Sequence, residues 1–128
     1  MRAKQVLMGV AMLAGFAAPA SASPAGVWEF ETKDTRVEVE MCGDGQDLCG
    51  TLVWLKDTRY NKQYERYLDT VMVGPAKPKG EGRWGGKMNM FGYNASGTIK
   101  QRSEDHLTLE GCVALVVCKT YELYRYEE

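Results

Sequence analysis

The side chains of this 128-residue chain best suited to do chemistry are its four cysteines, spaced as Cys42-x6-Cys49 and Cys112-x5-Cys118. Structural zinc sites use C-x2-C knuckles, and redox pairs use C-x-x-C beside a βαβ unit; neither pattern is present. Disulfide formation is the chemistry that remains. Four cysteines allow three pairings. Cys42 with Cys49 and Cys112 with Cys118 are favoured, because each pair brackets a short polar or bent segment between two strand-like runs. In the chain-entropy description, rings this short contribute about 2.5 kcal/mol each. The sole histidine, His106, begins an alternating run that puts it, Thr108 and Glu110 on the solvent side. No G-x-S-x-G elbow, H-E-x-x-H helix or glycine-rich phosphate loop accompanies it. The sequence therefore predicts a protein that is not an enzyme, with no catalytic residue, no metal and no cofactor.

The aromatic residues carry the remaining chemical interest. Trp28, Trp54 and Trp84 fall on three different predicted strands, and Met88, Met90, Phe91 and Tyr93 cluster after the last of them. A closed barrel of about eight strands is just wide enough to be filled by side chains or to hold one small ligand. Two readings are therefore open. The indoles are core or plug residues, or they line an apolar pocket together with the Met88 to Tyr93 cluster and Tyr64.

These residues must be positioned by short strands. Gly26, Trp28 and Phe30 alternate with Val27, Glu29 and Glu31, and Val37, Val39 and Met41 alternate with Arg36, Glu38 and Glu40. A turn at Gly43-Asp44-Gly45 leads to a strand from Leu48 to Lys56, with Leu52 and Trp54 on one face. Tyr60, Tyr64, Tyr67, Leu68 and Val71 recur at helical spacing, which predicts an amphipathic helix over 60–73 laid across an open end. Gly74-Pro75 ends it, and residues 75–82 read as a polar, mobile loop. Strands resume over 83–91, 97–102, 106–113 and 116–126, with a turn at 94–97. The fold class is all-β, a small antiparallel up-and-down barrel with one short covering helix. A two-sheet sandwich shares the same local signals.

At the N-terminus, Arg2 and Lys4 precede an apolar run from Val6 to Ala18, and Ala20-Ser21-Ala22 matches a cleavage site. The run is shorter than the roughly 20 apolar residues of a membrane span. Residues 1–22 thus read as a signal peptide and 23–128 as a single β-barrel domain, periplasmic or secreted, with no stable membrane span after cleavage. Cleavage would leave 14 basic against 17 acidic residues, alternating in sign along the chain. That balance argues against nucleic acid as a partner, because phosphate binding draws on a basic stripe.

Gly26-Val27-Trp28 on a first strand, with Arg125 near the end of the last, resembles the G-x-W and closing arginine of lipocalin-type barrels. There, the guanidinium lies over the indole and locks first strand to last. The ordered set Gly26-Val27-Trp28, Cys42-Gly43, Leu48-Cys49-Gly50, Val53-Trp54-Leu55, Gly82-Arg83-Trp84-Gly85-Gly86, Gly111-Cys112, Cys118 and Arg125 is similar to an uncharacterised family of small exported bacterial proteins, domain-of-unknown-function family 2147. Two segments depart from that pattern. Met88 to Tyr93 and Gly97-Thr98-Ile99 replace the family's I-Y-D-P-x-x-G-K-T-Y hairpin, and Asn61 to Tyr67 replace its N-P-D…R-x-R segment.

Two functions follow as expectations. The first is binding of a small apolar or amphipathic ligand in the barrel mouth. The alternative is a protein-binding module, an envelope-enzyme inhibitor or assembly factor, that uses the loop over 75–82 on a filled barrel.

Overall fold

A computed structural model describes residues 23–113 and 117–127. The signal-peptide reading of residues 1–22 lies outside the described residues. Eight antiparallel strands follow in chain order: β1 (Gly26–Phe30), β2 (Thr35–Cys42), β3 (Asp47–Leu55), β4 (Val71–Gly80), β5 (Arg83–Met90), β6 (Tyr93–Ser103), β7 (His106–Val113) and β8 (Val117–Arg125). Each strand pairs with the next, and β1 pairs with β8 at Trp28–Arg125, Glu29–Tyr124 and Phe30–Leu123, so the meander closes into a barrel as expected. Both favoured disulfides form, Cys42–Cys49 across the β2–β3 turn and Cys112–Cys118 across β7 and β8. Among the described residues, no helix is long and apolar enough to cross a membrane.

Two expectations about the middle of the chain are corrected. The helix over 60–73 shrinks to one turn, α1 (Arg59–Lys62), and a 3-10 turn over Glu65–Tyr67. Leu68 is extended, Asp69 has φ of +67°, and the chain then enters β4. The supposed loop over 75–82 is mostly the second half of that strand. Backbone demand explains both changes. The donors and acceptors of β3 and β5 need partners, and the segment from Asp69 onward supplies them: Asp69 donates to the Leu52 carbonyl at 2.7 Å and Leu52 donates to the Thr70 carbonyl at 3.0 Å. Pro75 is tolerated because the pairing of β4 slips there on both sides, where an imide has no ladder bond to lose. The turn expected at 94–97 lies inside β6, and the chain reverses instead at Phe91-Gly92, whose φ angles are +53° and +92°.

The barrel axis is filled. Trp28, Leu48, Leu52 and Leu107 are the largest fully buried side chains, surrounded by Val37, Val39, Met72, Val73, Ala76, Met88, Ile99, Leu109 and Leu123. The void left among them is about 20 Å³, far below the roughly 300 Å³ at which ligand pockets begin.

Candidate functional site

The two ends of the barrel are built differently. At one end Trp28 is fully buried and its indole N–H donates to the Pro24 carbonyl at 2.8 Å, while that of Trp84 donates to the Gln46 carbonyl at 3.1 Å. The Arg125 guanidinium lies 4.4 Å from the Trp28 ring and donates to the carbonyls of Glu104, Ala25 and Ser23. Trp28 and Arg125 are also direct partners across the β1–β8 seam. Gly26 has φ of +136°, and a Cβ there would stand 2.8 Å from an Arg125 Nη1. The G-x-W motif thus leaves room for the arginine at the position that precedes the indole by two. This end is a latch, with Asp47 sealed beside it: its side chain is 7 % exposed and accepts from Lys77 at 2.7 Å. Asp47 holds the Lys77 ammonium above its ordinary value, through the hydrogen bond first and its charge second.

The opposite end opens into a cup of about 530 Å³. Its wall comes from the inward positions of β1, β6, β7 and β8 and from the cover that α1 provides. Phe30 and Tyr121 pack at 5.2 Å between ring centroids, Tyr60 and Tyr64 at 5.5 Å, and Tyr64 and Phe91 at 4.5 Å. Met90, Tyr93 and Ala95 complete the near wall. The Tyr64 hydroxyl donates to that of Tyr60 at 3.3 Å. That bond holds the Tyr64 phenol above its ordinary value, assisted by desolvation and then by the neighbouring phenols of Tyr60, Tyr93 and Tyr121. The cup exists because β6 and β7 carry small residues there. A Cβ on Gly111 would meet nothing nearer than 3.8 Å, whereas the space beside Gly97 is already occupied by the Met88 side chain.

The cover is clamped by Asn61, which is 4 % exposed and whose side-chain amide donates to the carbonyls of Asp34 and Lys56 at 3.3 and 3.0 Å. Thr58 caps α1 by accepting from the Asn61 backbone N–H at 3.0 Å. At the rim, the Asp34 carboxylate accepts from the hydroxyls of Thr32 and Thr35. The Lys119 ammonium sits 5.2 Å from the Tyr121 ring.

Of the residues singled out for a pocket, Tyr64, Met90, Phe91 and Tyr93 line the cup. The three tryptophans do not, and neither does Met88, which is buried in the filled section. Trp28 and Trp84 belong to the closed end. Trp54 leaves the interior altogether, because Arg36 pairs with Trp54 and Val37 with Leu52, so that Val53 is an extra residue in β3. That bulge turns Trp54 outward. Its ring stacks on the Arg36 guanidinium at 3.8 Å, with Tyr126 on the other face at 3.7 Å and Glu29 accepting from Nε at 2.8 Å. His106, expected to be exposed, is half-buried on the outer face, with Nε2 2.5 Å from Glu122 Oε1 and its ring stacked on Tyr124. Sequence reasoning missed Phe30, Tyr121, Asn61 and Gly111. The alternation of β1, β7 and β8 puts Phe30, Gly111 and Tyr121 on the inward face, which is the signal that could have found them. Among the described residues, no group of three or more His, Cys, Asp or Glu is placed to hold a metal ion.

The geometry defines a class, a small closed antiparallel barrel latched by an arginine over an indole at one end and cupped by aromatic rings at the other. Within that class, the chain belongs to the family described as "Uncharacterized protein conserved in bacteria (DUF2147)", which matches residues 26–125. No curated protein and no solved structure matches it.

Proposed function

We propose that this is an exported, non-catalytic binding protein that takes a small amphipathic molecule into the cup at the open end of its barrel. The observation that carries the reading is the cup itself. Its volume of about 530 Å³ lies within the roughly 300 to 1,000 Å³ usual for ligand pockets, and its walls combine aromatic faces with a few polar groups at the rim. The floor is the packed core, so a ligand enters from one side only. Export is supported by two disulfides, which persist in oxidising compartments, and by the charged, apolar and small-residue order of the first 22 residues.

The test uses N-phenyl-1-naphthylamine, a neutral apolar dye whose emission rises in a dry site. Saturable enhancement is expected, with affinity falling at least about tenfold in Gly111→Leu, which puts a branched apolar side chain on the cup wall at a position where a Cβ meets nothing nearer than 3.8 Å. Absence of saturable enhancement in the wild type, or an unchanged affinity in a Gly111→Leu protein that melts normally, overturns the reading. Intrinsic tryptophan emission is a poor reporter here, because no indole lines the cup.

A further inference from the structure

The charge and ring placement of the cup point to the chemical class of its occupant, an inference that rests on the binding function proposed above. Six aromatic residues, Phe30, Tyr60, Tyr64, Phe91, Tyr93 and Tyr121, line one cavity. Ring faces carry negative charge density and attract organic cations, most strongly where several rings converge and water is partly excluded. A cation already exploits one of these faces: the Lys119 ammonium has the Tyr121 ring at 5.2 Å and no carboxylate partner among the described residues.

The acidic groups of the same cavity are Glu31, Asp34 and Glu122, against Lys119 as its basic residue. Glu122 is engaged by His106. Asp34 is different. Its carboxylate is held by two threonine hydroxyls, Thr32 and Thr35, and meets no cation among the described residues. Hydroxyl donors fix a carboxylate in place without neutralising it. An anionic headgroup would face that fixed charge and Glu31 with Lys119 alone in compensation. We propose that the cup selects an organic cation with an apolar tail, an alkylammonium whose head sits among the tyrosine rings with Asp34 as counter-charge.

Isothermal titration with decyltrimethylammonium, decyl maltoside and decyl sulfate, all below their micellar concentrations and at low salt, separates head from tail. The cation should bind at least about tenfold more tightly than the sulfate. Asp34→Asn keeps an acceptor for both threonines and should weaken the cation several-fold while leaving the maltoside unchanged. Lys119→Met frees a ring face, removes a like charge and should strengthen the cation several-fold; it tests the idea independently if Asp34→Asn fails to fold. Equal or tighter binding of the sulfate, or parallel changes for all three detergents in both variants, overturns the cation preference and leaves the cup standing as a pocket. Absence of saturable binding by all three overturns the pocket and the preference together.

Discussion

Replacing Arg125 by Met tests whether the barrel is held shut at its plugged end by one side chain. The guanidinium makes four hydrogen bonds to three backbone carbonyls, at 2.7 and 3.0 Å to Glu104, 2.9 Å to Ala25 and 3.2 Å to Ser23. Those carbonyls belong to exposed residues, so water takes over once the arginine is gone, and each acceptor counts for roughly 0.5–1 kcal/mol rather than the larger value of a buried orphan. The cation–ring contact over the fully buried Trp28 adds about 1 kcal/mol. The ion pair with Asp105 adds little, because that carboxylate is 73 % exposed. The sum is about 3 kcal/mol, which for a domain of this size lowers the melting temperature by about 12–20 °C. Urea unfolding followed by far-ultraviolet circular dichroism measures it without depending on Trp28 as a reporter. Arg125→Lys keeps the charge but not the planar fork that reaches three acceptors, and should recover less than half of the loss. A cost below about 1 kcal/mol, or a lysine as good as the arginine, refutes the latch.

Leu52→Ala should cost about 2–5 kcal/mol and Trp54→Ala only about 1–1.5 kcal/mol, since the bulge puts the smaller side chain inside and the larger outside; equal costs in urea titrations would place the indole in the core. Gly97→Ala should destabilise by more than about 2 kcal/mol, because its Cβ would stand within 2.6 Å of the Glu110 carbonyl as well as against Met88, and a near-neutral melting temperature would refute that crowding. The Lys77 ammonium, held above its ordinary 10.5 by Asp47, supports the fold fully below that value and loses its effect as pH rises through the higher folded-state value. Lys77→Met should therefore be less stable than the wild type near neutrality, with the difference closing in strongly alkaline solution. A difference that persists unchanged across that range, measured by urea midpoints, would show that the ion pair is not its source.

Barrel closure was legible because its signals are local and redundant. Alternation in β1 and β2 follows the two-residue period directly, the cysteine pairs mark the hairpin ends, and Gly26, Trp28 and Arg125 announce the seam; in β7, Thr108, expected on the solvent side, is buried and accepts from Arg102 Nε at 3.2 Å. What was not legible depended on partners distant in the chain. The segment from Tyr60 to Val73 has a helical period, but a stretch this short is marginal as an isolated helix, and the need of β3 and β5 for a strand between them outweighs that weak local preference. The same holds for Trp54. Alternation from Leu52 keeps both residues inside, and a single extra residue at Val53 reverses the second. No feature of the residues Leu52-Val53-Trp54 marks the bulge.

The tryptophans were therefore the wrong guide to the pocket, for a physical reason that also explains where the cup is. An indole in a barrel of eight strands occupies most of the cross-section, so each layer that contains one is filled. Trp28 and Trp84 do this at one end, their N–H groups satisfied by carbonyls of the loops outside. Moving toward the other end, the inward positions of β6 and β7 pass through Ile99 and Leu109 to Gly97, Gly111 and Ala95, and the section empties as the side chains shrink. Met88 fills part of that space by lying against Gly97, and what it leaves is the cup. The rings that line the opening come from turn residues and the cover, Phe91, Tyr60 and Tyr64, from strand termini, Phe30 and Tyr93, and from the middle of β8, Tyr121. They edge the cavity without plugging it. A residue-size gradient along two neighbouring strands thus decides which end of the barrel is filled and which is left as a cavity. Reversing the gradient at Gly111 alone is enough to test that division.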